Sequence, residues 1–192
     1  IKACNMIARG LIGGTIFVAG SYGVGKSTLC SALSNVLTIP AYSAGDLISN
    51  VNGEQYGANK AVKDKDANQD ILTFEIEKKL EQYPTILLAG HFCIFDKLNC
   101  VEKLPHSVFE KISIEQILLL EADPVRILTN LSIRDKKKYE LRHIELLLEE
   151  ERQAAEEISR KCSCRLHIHQ MAFDESDLQK CCKILNEEVQ TV

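Results

Sequence analysis

No apolar run in this chain approaches the roughly 20 residues needed to cross a bilayer. A membrane-spanning helix is therefore not expected. The opening Ile1-Lys2-Ala3-Cys4-Asn5-Met6 lacks the apolar core of a secretory signal, so a cytoplasmic protein is the expectation. There is no excess of positive charge. The net charge of −4 argues against general nucleic-acid binding. No internal repeat and no low-complexity tract interrupts the chain, so nothing points to a solenoid or a long linker. What is present is ordinary for a globular domain: 192 residues, 45% hydrophobic and 26% charged, enough for one α/β unit with a substantial core.

The eight cysteines are not expected to form a disulfide framework, because the phosphate-loop pattern over Gly20–Thr28 points to a protein that works among cytosolic nucleotides, where thiols stay reduced. Cys30 and Cys93 fall in segments that read as core, and Cys162/Cys164 and Cys181/Cys182 are closer than ordinary disulfide spacing favours. The string Cys162-x-Cys164-x-x-His167-x-His169 brings zinc to mind, but its spacing is not a usual zinc pattern. Arg165 to His169 alternates like a strand, with His167 and His169 on one face.

The chemistry concentrates in Gly20-Ser21-Tyr22-Gly23-Val24-Gly25-Lys26-Ser27-Thr28, which satisfies the phosphate-loop pattern G-x-x-x-x-G-K-[ST]. It follows the apolar run Thr15–Ala19 and opens a helix-compatible stretch to Leu37. That strand–loop–helix setting separates a phosphate loop from a chance match. The glycines let the backbone approach a polyphosphate and turn its N–H groups inward. The helix N-terminus adds partial positive charge. Lys26 is the candidate for the β- and γ-phosphates and Ser27 for Mg²⁺, which makes ATP with Mg²⁺ the expected cofactor.

Periodicity predicts strands over Thr15–Ala19, Ile39–Tyr42, Thr85–Ala89, Gln116–Leu120 and 165–169. Helices are expected over Gly25–Leu37, from Asp46 onward, Asn68–Gln82, Ser107–Lys111, from Pro124, Glu140–Lys161 and Glu175–Glu188. In the third of these, Ile71, Leu72, Phe74, Ile76 and Leu80 form the expected apolar set. Residues 50–66 read as a polar excursion. Continuous apolar strands alternating with helices predict a three-layer α/β fold with a five-stranded parallel sheet flanked by helices. Ligand is then expected at the carboxyl ends of the strands.

At strand ends, in the polar excursion, in the expected lid and on the long helix lie Ala44-Gly45-Asp46-Leu47-Ile48, Lys63-Asp64-Lys65-Asp66, Ala89-Gly90-His91, Leu104-Pro105, Glu121-Ala122-Asp123-Pro124, Arg134-Asp135 and Glu151-Arg152-Gln153-Ala154-Ala155. In their order these resemble motifs of the nucleoside monophosphate kinases, and within them the archaeal-type adenylate kinases and their small bacterial ATP-binding relatives. The resemblance covers roughly residues 15 to 170. It implies transfer of the ATP γ-phosphoryl group to a nucleotide or small acceptor. It implies catalytic roles for Lys26, Arg134 and Arg152, and acceptor binding by Gly45, Asp46 and His91. It also implies a single domain over 15–192 after a lead-in over 1–14, with an acceptor excursion near 43–82 and a short lid near 130–142.

The chain departs from that pattern at particular places. Ala89 stands where the family has its Walker B carboxylate. Ser49 and Gln69 stand where it has acceptor arginines, and Asn130 and Leu131 where it has paired lid arginines. Either the acceptor is not a plain nucleoside monophosphate, or Lys60, Lys63, Lys65 and His91 hold it. The alternative is an ATP-binding regulatory module, working with a partner protein, that has lost transfer. Plainer readings stand beside the sharp ones. Asp46 and Asp123 suit helix starts, and Arg134 suits a solvated basic loop. Arg152 suits pairing with Glu149 or Glu156, and Glu149-Glu150-Glu151 suits a wet helix face.

Overall fold

The computed structural model describes residues 13–52, 65–96, 98, 100–135 and 138–186. In chain order the elements are β1 (Gly14–Gly20), α1 (Lys26–Leu37), β2 (Ala41–Ser43), α2 (Ala44–Asn52), α3 (Lys65–Leu80), β3 (Thr85–Ala89), β4 (Cys93–Phe95), β5 (Val101–Lys103), α4 (His106–Lys111), β6 (Ile114–Glu121), α5 (Pro124–Asp135), α6 (Leu141–Cys162), β7 (Arg165–Gln170) and α7 (Glu175–Asn186). The main sheet has the order β2-β3-β1-β6-β7, and every neighbouring pair is parallel.

Every residue of β1 is buried, which suits the central strand of a sheet covered on both faces. Successive side chains alternate between two cores, as the pleat requires. Phe17, Ile86, Leu88, Ile117 and Leu119 pack on one face with Phe92, Phe109, Leu147 and Ile158 from the β3–β4 connection, α4 and α6. Ile16, Val18, Leu87, Leu118 and Leu120 pack on the other with Leu29, Leu33, Leu37, Ile127, Leu131, Cys181 and Leu185 from α1, α5 and α7. The expected five-stranded parallel sheet flanked by helices is present.

Three details differ from the reading of the sequence. β4 and β5 form an antiparallel hairpin that was not expected. Its strands have three residues each, too short for a periodic signal. On α3, Leu72 and Ile76 are buried, but Phe74 is 61% exposed, because i to i+2 spacing turns it to the opposite face. On α6, Glu151 is buried rather than wet. Residues 1–12 of the expected lead-in over 1–14, Lys60, Lys63 and the lid residues 136 and 137 lie outside the described residues, and Gly14 already belongs to β1. Among the described residues no helix is long and apolar enough to cross a membrane.

Candidate functional site

The phosphate-loop segment leaves the sheet at the carboxyl end of β1 and enters α1. Gly20 (φ 145°) starts the turn, and a Cβ there would lie 2.6 Å from the Leu120 carbonyl oxygen, so only glycine fits. Gly25 (φ 94°) is the left-handed residue immediately before α1. Its position aims the first turn of a twelve-residue helix, with its unpaired N–H groups, into the loop. Lys26 folds back and donates to the carbonyls of Gly20 and Ser21, both at 2.7 Å. Ser27 and Thr28 follow on the same cavity wall. Two residues that departed from the family pattern support this loop. Asn130 of α5 donates to the Gly23 carbonyl at 2.9 Å, and the fully buried Leu131 packs against Gly23.

A cavity of about 610 Å³ extends from the loop across the carboxyl ends of β1, β2 and β3. Its lining takes in Tyr22, Gly23, Gly25, Lys26, Ser27 and Thr28 of the loop, together with Gly45 and Asp46 in the first turn of α2, Asn68 and Gln69 on α3, and His91 after β3. Arg134 lines the wall near the loop, and Phe17, Leu72, Ile94, Phe95 and Phe109 supply apolar surface. Tyr22 lies with its ring centroid 4.3 Å from His91 and 5.8 Å from Phe95. The loop is thus joined to the segment after β3 through ring contacts. Asp46 is not the helix cap: its own N–H is received by Ser43 Oγ at 3.4 Å, which leaves its carboxylate at the cavity. Ser49 is buried and donates to the Gly45 carbonyl at 2.7 Å, so it contributes backbone geometry to α2.

The two arginines are placed differently. Arg134 lines the cavity while its Nη2 donates to Asp135 at 2.7 Å. That hydrogen bond holds its pKa above the ordinary guanidinium value. Asp135 also accepts from Tyr139 at 2.6 Å. Arg152 does not line the cavity. Its Nε donates to Glu121 at 2.6 Å, so its hydrogen-bonded partner is the end of β6, while Glu156 acts on it through charge. The Glu121 hydrogen bond raises its pKa. Asp123 accepts the N–H groups of Val125 and Arg126 at 2.9 and 3.1 Å, as the cap of α5.

Glu151 is a site residue that the pattern of the sequence hid. It is 1% exposed on α6. Its Oε1 accepts the N–H of Gly20 at 3.2 Å and of Phe92 at 2.9 Å, and its Oε2 accepts Phe92 at 3.1 Å and Cys93 at 2.7 Å. Burial pushes its pKa up, opposed by these N–H groups and by the Lys26 ammonium. A glutamate within a run of three acids carries no sign of this in sequence. The available signal was its position, three and four residues before the buried Ala154 and Ala155 on one helical face.

A second flank of the loop comes from the segment after β7. A methyl group placed on Gly25 would lie 3.4 Å from Met171 Cε and 3.8 Å from the Phe173 ring. Arg126 lies 5.0 Å from the centroid of that ring. The segment is tied down by Asp177, which accepts from Ala172, Phe173 and Asp174 N–H groups and pairs with the buried His169 at 2.8 Å. Despite burial, these donors hold the Asp177 carboxyl below its ordinary range. His169 is thereby committed to a carboxylate. Among the described residues no group of three or more His, Cys, Asp or Glu is placed to hold a metal ion. Burial pushes the Cys30 thiol up to about 12, so it packs as a neutral side chain.

A family model described as AAA domain matches residues 19–148, more than half of the chain. The chain belongs to this family. The matched span runs from the end of β1 to the first half of α6 and includes the loop, Asp46, His91 and Arg134. No curated protein matches the chain in sequence. Solved structures share its fold at low identity. The tunicamycin resistance protein of Deinococcus radiodurans is 13% identical, with a TM-score of 0.64, over 94% of this chain and 97% of that one. Shikimate kinase from Acinetobacter baumannii is 15% identical, with a TM-score of 0.59, over 93% and 96%. A gluconokinase from Sinorhizobium meliloti is 12% identical, with a TM-score of 0.52, over 93% and 97%. The fold is that of P-loop kinases.

Proposed function

We propose that this chain is an ATP-dependent phosphotransferase that moves the γ-phosphoryl group to a nucleotide or another small hydroxyl-bearing acceptor, as the nucleoside monophosphate kinases do. The observation that carries this reading is one cavity lined by the phosphate loop together with Asp46 and His91. Such transfer needs little covalent chemistry from the protein; it needs alignment and neutralised charge.

Each residue then has a role. The loop N–H groups and the start of α1 seat the polyphosphate. Lys26 exchanges its two loop carbonyls for phosphate oxygens, a stronger charge-assisted contact. Ser27 would hold Mg²⁺. Phe173 and Arg126, on the outer flank of Gly25, offer planar faces to a base. Arg134 exchanges Asp135 for the transferring group. Asp46 and His91 orient the acceptor. Arg152 steadies the end of β6 through Glu121. The bound Mg²⁺–nucleotide supplies the phosphoryl group and part of the charge neutralisation. A cytoplasmic setting, where ATP is abundant, follows from the same reading.

The observation that favours a second reading is Ala89, which lines the cavity without a carboxylate to order a metal shell. On it, the chain is an ATP-binding module with slow, acceptor-independent hydrolysis that serves a protein partner. ADP release from Mg-ATP, measured with and without a panel comprising nucleoside monophosphates, shikimate and gluconate, separates the two. Acceptor-dependent ADP supports transfer. Slow ADP that no acceptor alters supports the module. Absence of calorimetric heat with Mg-ATP overturns both.

A further inference from the structure

We propose that Glu151 is a positioning residue, which holds the start of the phosphate loop in its nucleotide-receptive shape and in register with the acceptor wall. This rests on the reading of the loop as a nucleotide seat. The carboxylate is 1% exposed and reaches two separate segments: Gly20 at the start of the loop, and Phe92 and Cys93 directly after His91. Their chain neighbours Tyr22, His91 and Ile94 line the same cavity. α6, which carries Glu151, therefore joins the two segments.

The grip on Gly20 is two-sided. Its N–H donates to Glu151, while its carbonyl accepts from Lys26 at 2.7 Å. A nucleotide draws Lys26 away from that carbonyl. The Glu151 contact then remains to keep Gly20 in its left-handed conformation and the following N–H groups turned toward phosphate. Packing alone does not account for a carboxylate here. Burying its charge is costly, and an apolar side chain would fill the same space more cheaply if the segments had no N–H groups to satisfy. Both oxygens are spent on main-chain donors, so the group acts by fixing backbone and touches no substrate.

The test is titration calorimetry of Mg-ATP into the full chain and its variants. Glu151→Gln keeps the side-chain length and one acceptor oxygen but turns an NH₂ group toward the remaining N–H donors. It is expected to weaken nucleotide affinity about tenfold. Glu150→Gln, one residue earlier and facing Lys103, is expected to leave affinity within twofold. A loss of less than fivefold in folded Glu151→Gln, with wild type binding normally, overturns the role of Glu151 and leaves the nucleotide seat standing. No heat from wild type overturns the seat itself. If Glu151→Gln does not fold, amide exchange of wild type decides. The Gly20, Phe92 and Cys93 amides are expected to slow together when Mg-ATP saturates the protein. Slowing at Gly20 alone, or at none of the three, overturns the proposal.

Discussion

Lys26 and Glu151 approach the same glycine from opposite sides, and they answer different substitutions. Lys26→Ala removes a cation that holds two loop carbonyls in the free protein and that a bound phosphate would reward more strongly. Its expected effect is a loss of roughly 10²- to 10³-fold in turnover or nucleotide affinity. Glu151→Ala instead leaves buried N–H groups of Gly20, Phe92 and Cys93 without an acceptor. At about 1–3 kcal/mol for each such donor, a destabilisation of about 3 kcal/mol or more is expected in urea titration. Lys26 was plain in the sequence because its chemistry is written in neighbouring residues. Glu151 was not, because its partners are 58 to 131 residues away and are main-chain atoms, which carry no residue identity. The same holds for Asn130, whose side chain looked like a lost arginine and supports Gly23.

The elements around the loop divide between holding it and flanking it. The segment between β7 and α7 flanks it, and its shape depends on the charged form of Asp177. Because the folded pKa of Asp177 lies below its ordinary value, the stabilisation is complete above about 3.9 and is lost as pH falls through the folded value. Asp177→Asn is therefore expected to be less stable than wild type at pH 6, with the gap narrowing as the pH is lowered below about 4. Thermal melts across that range check it. Phe173→Ala removes the ring beside Gly25, and is expected to weaken ATP binding about tenfold while sparing inorganic triphosphate. Comparing the two ligands by calorimetry distinguishes a base seat from a packing role. Strand and helix positions here were legible from periodicity, since long apolar runs and caps such as Asp123 act locally. The β4–β5 hairpin was not, because its pairing depends on contacts made after the chain has folded back.

At the level of the molecule, one sheet carries a core on each face, and the cavity opens where β1, β2 and β3 end. A ligand seated there contacts elements from both halves, so binding is coupled to global unfolding. At Mg-ATP one hundred times its Kd, the stabilisation is about 2.7 kcal/mol, which for a chain of this size is a rise in Tm of about 5–10 °C. The Lys26→Ala variant is expected to show little of it. The strand–loop–helix segment from Thr15 to Leu37, the alternation of buried strands with helices, and the parallel sheet were all set by local pattern, since short-range geometry and apolar periodicity are properties of neighbouring residues. Folding alone brought Asp46, His91 and Arg134 onto one cavity, turned Arg152 to Glu121, and placed the Glu151 carboxylate beneath Gly20. Those relations join residues far apart in the chain, and only the pairing of the strands and the packing of α2, α5 and α6 against the sheet create them.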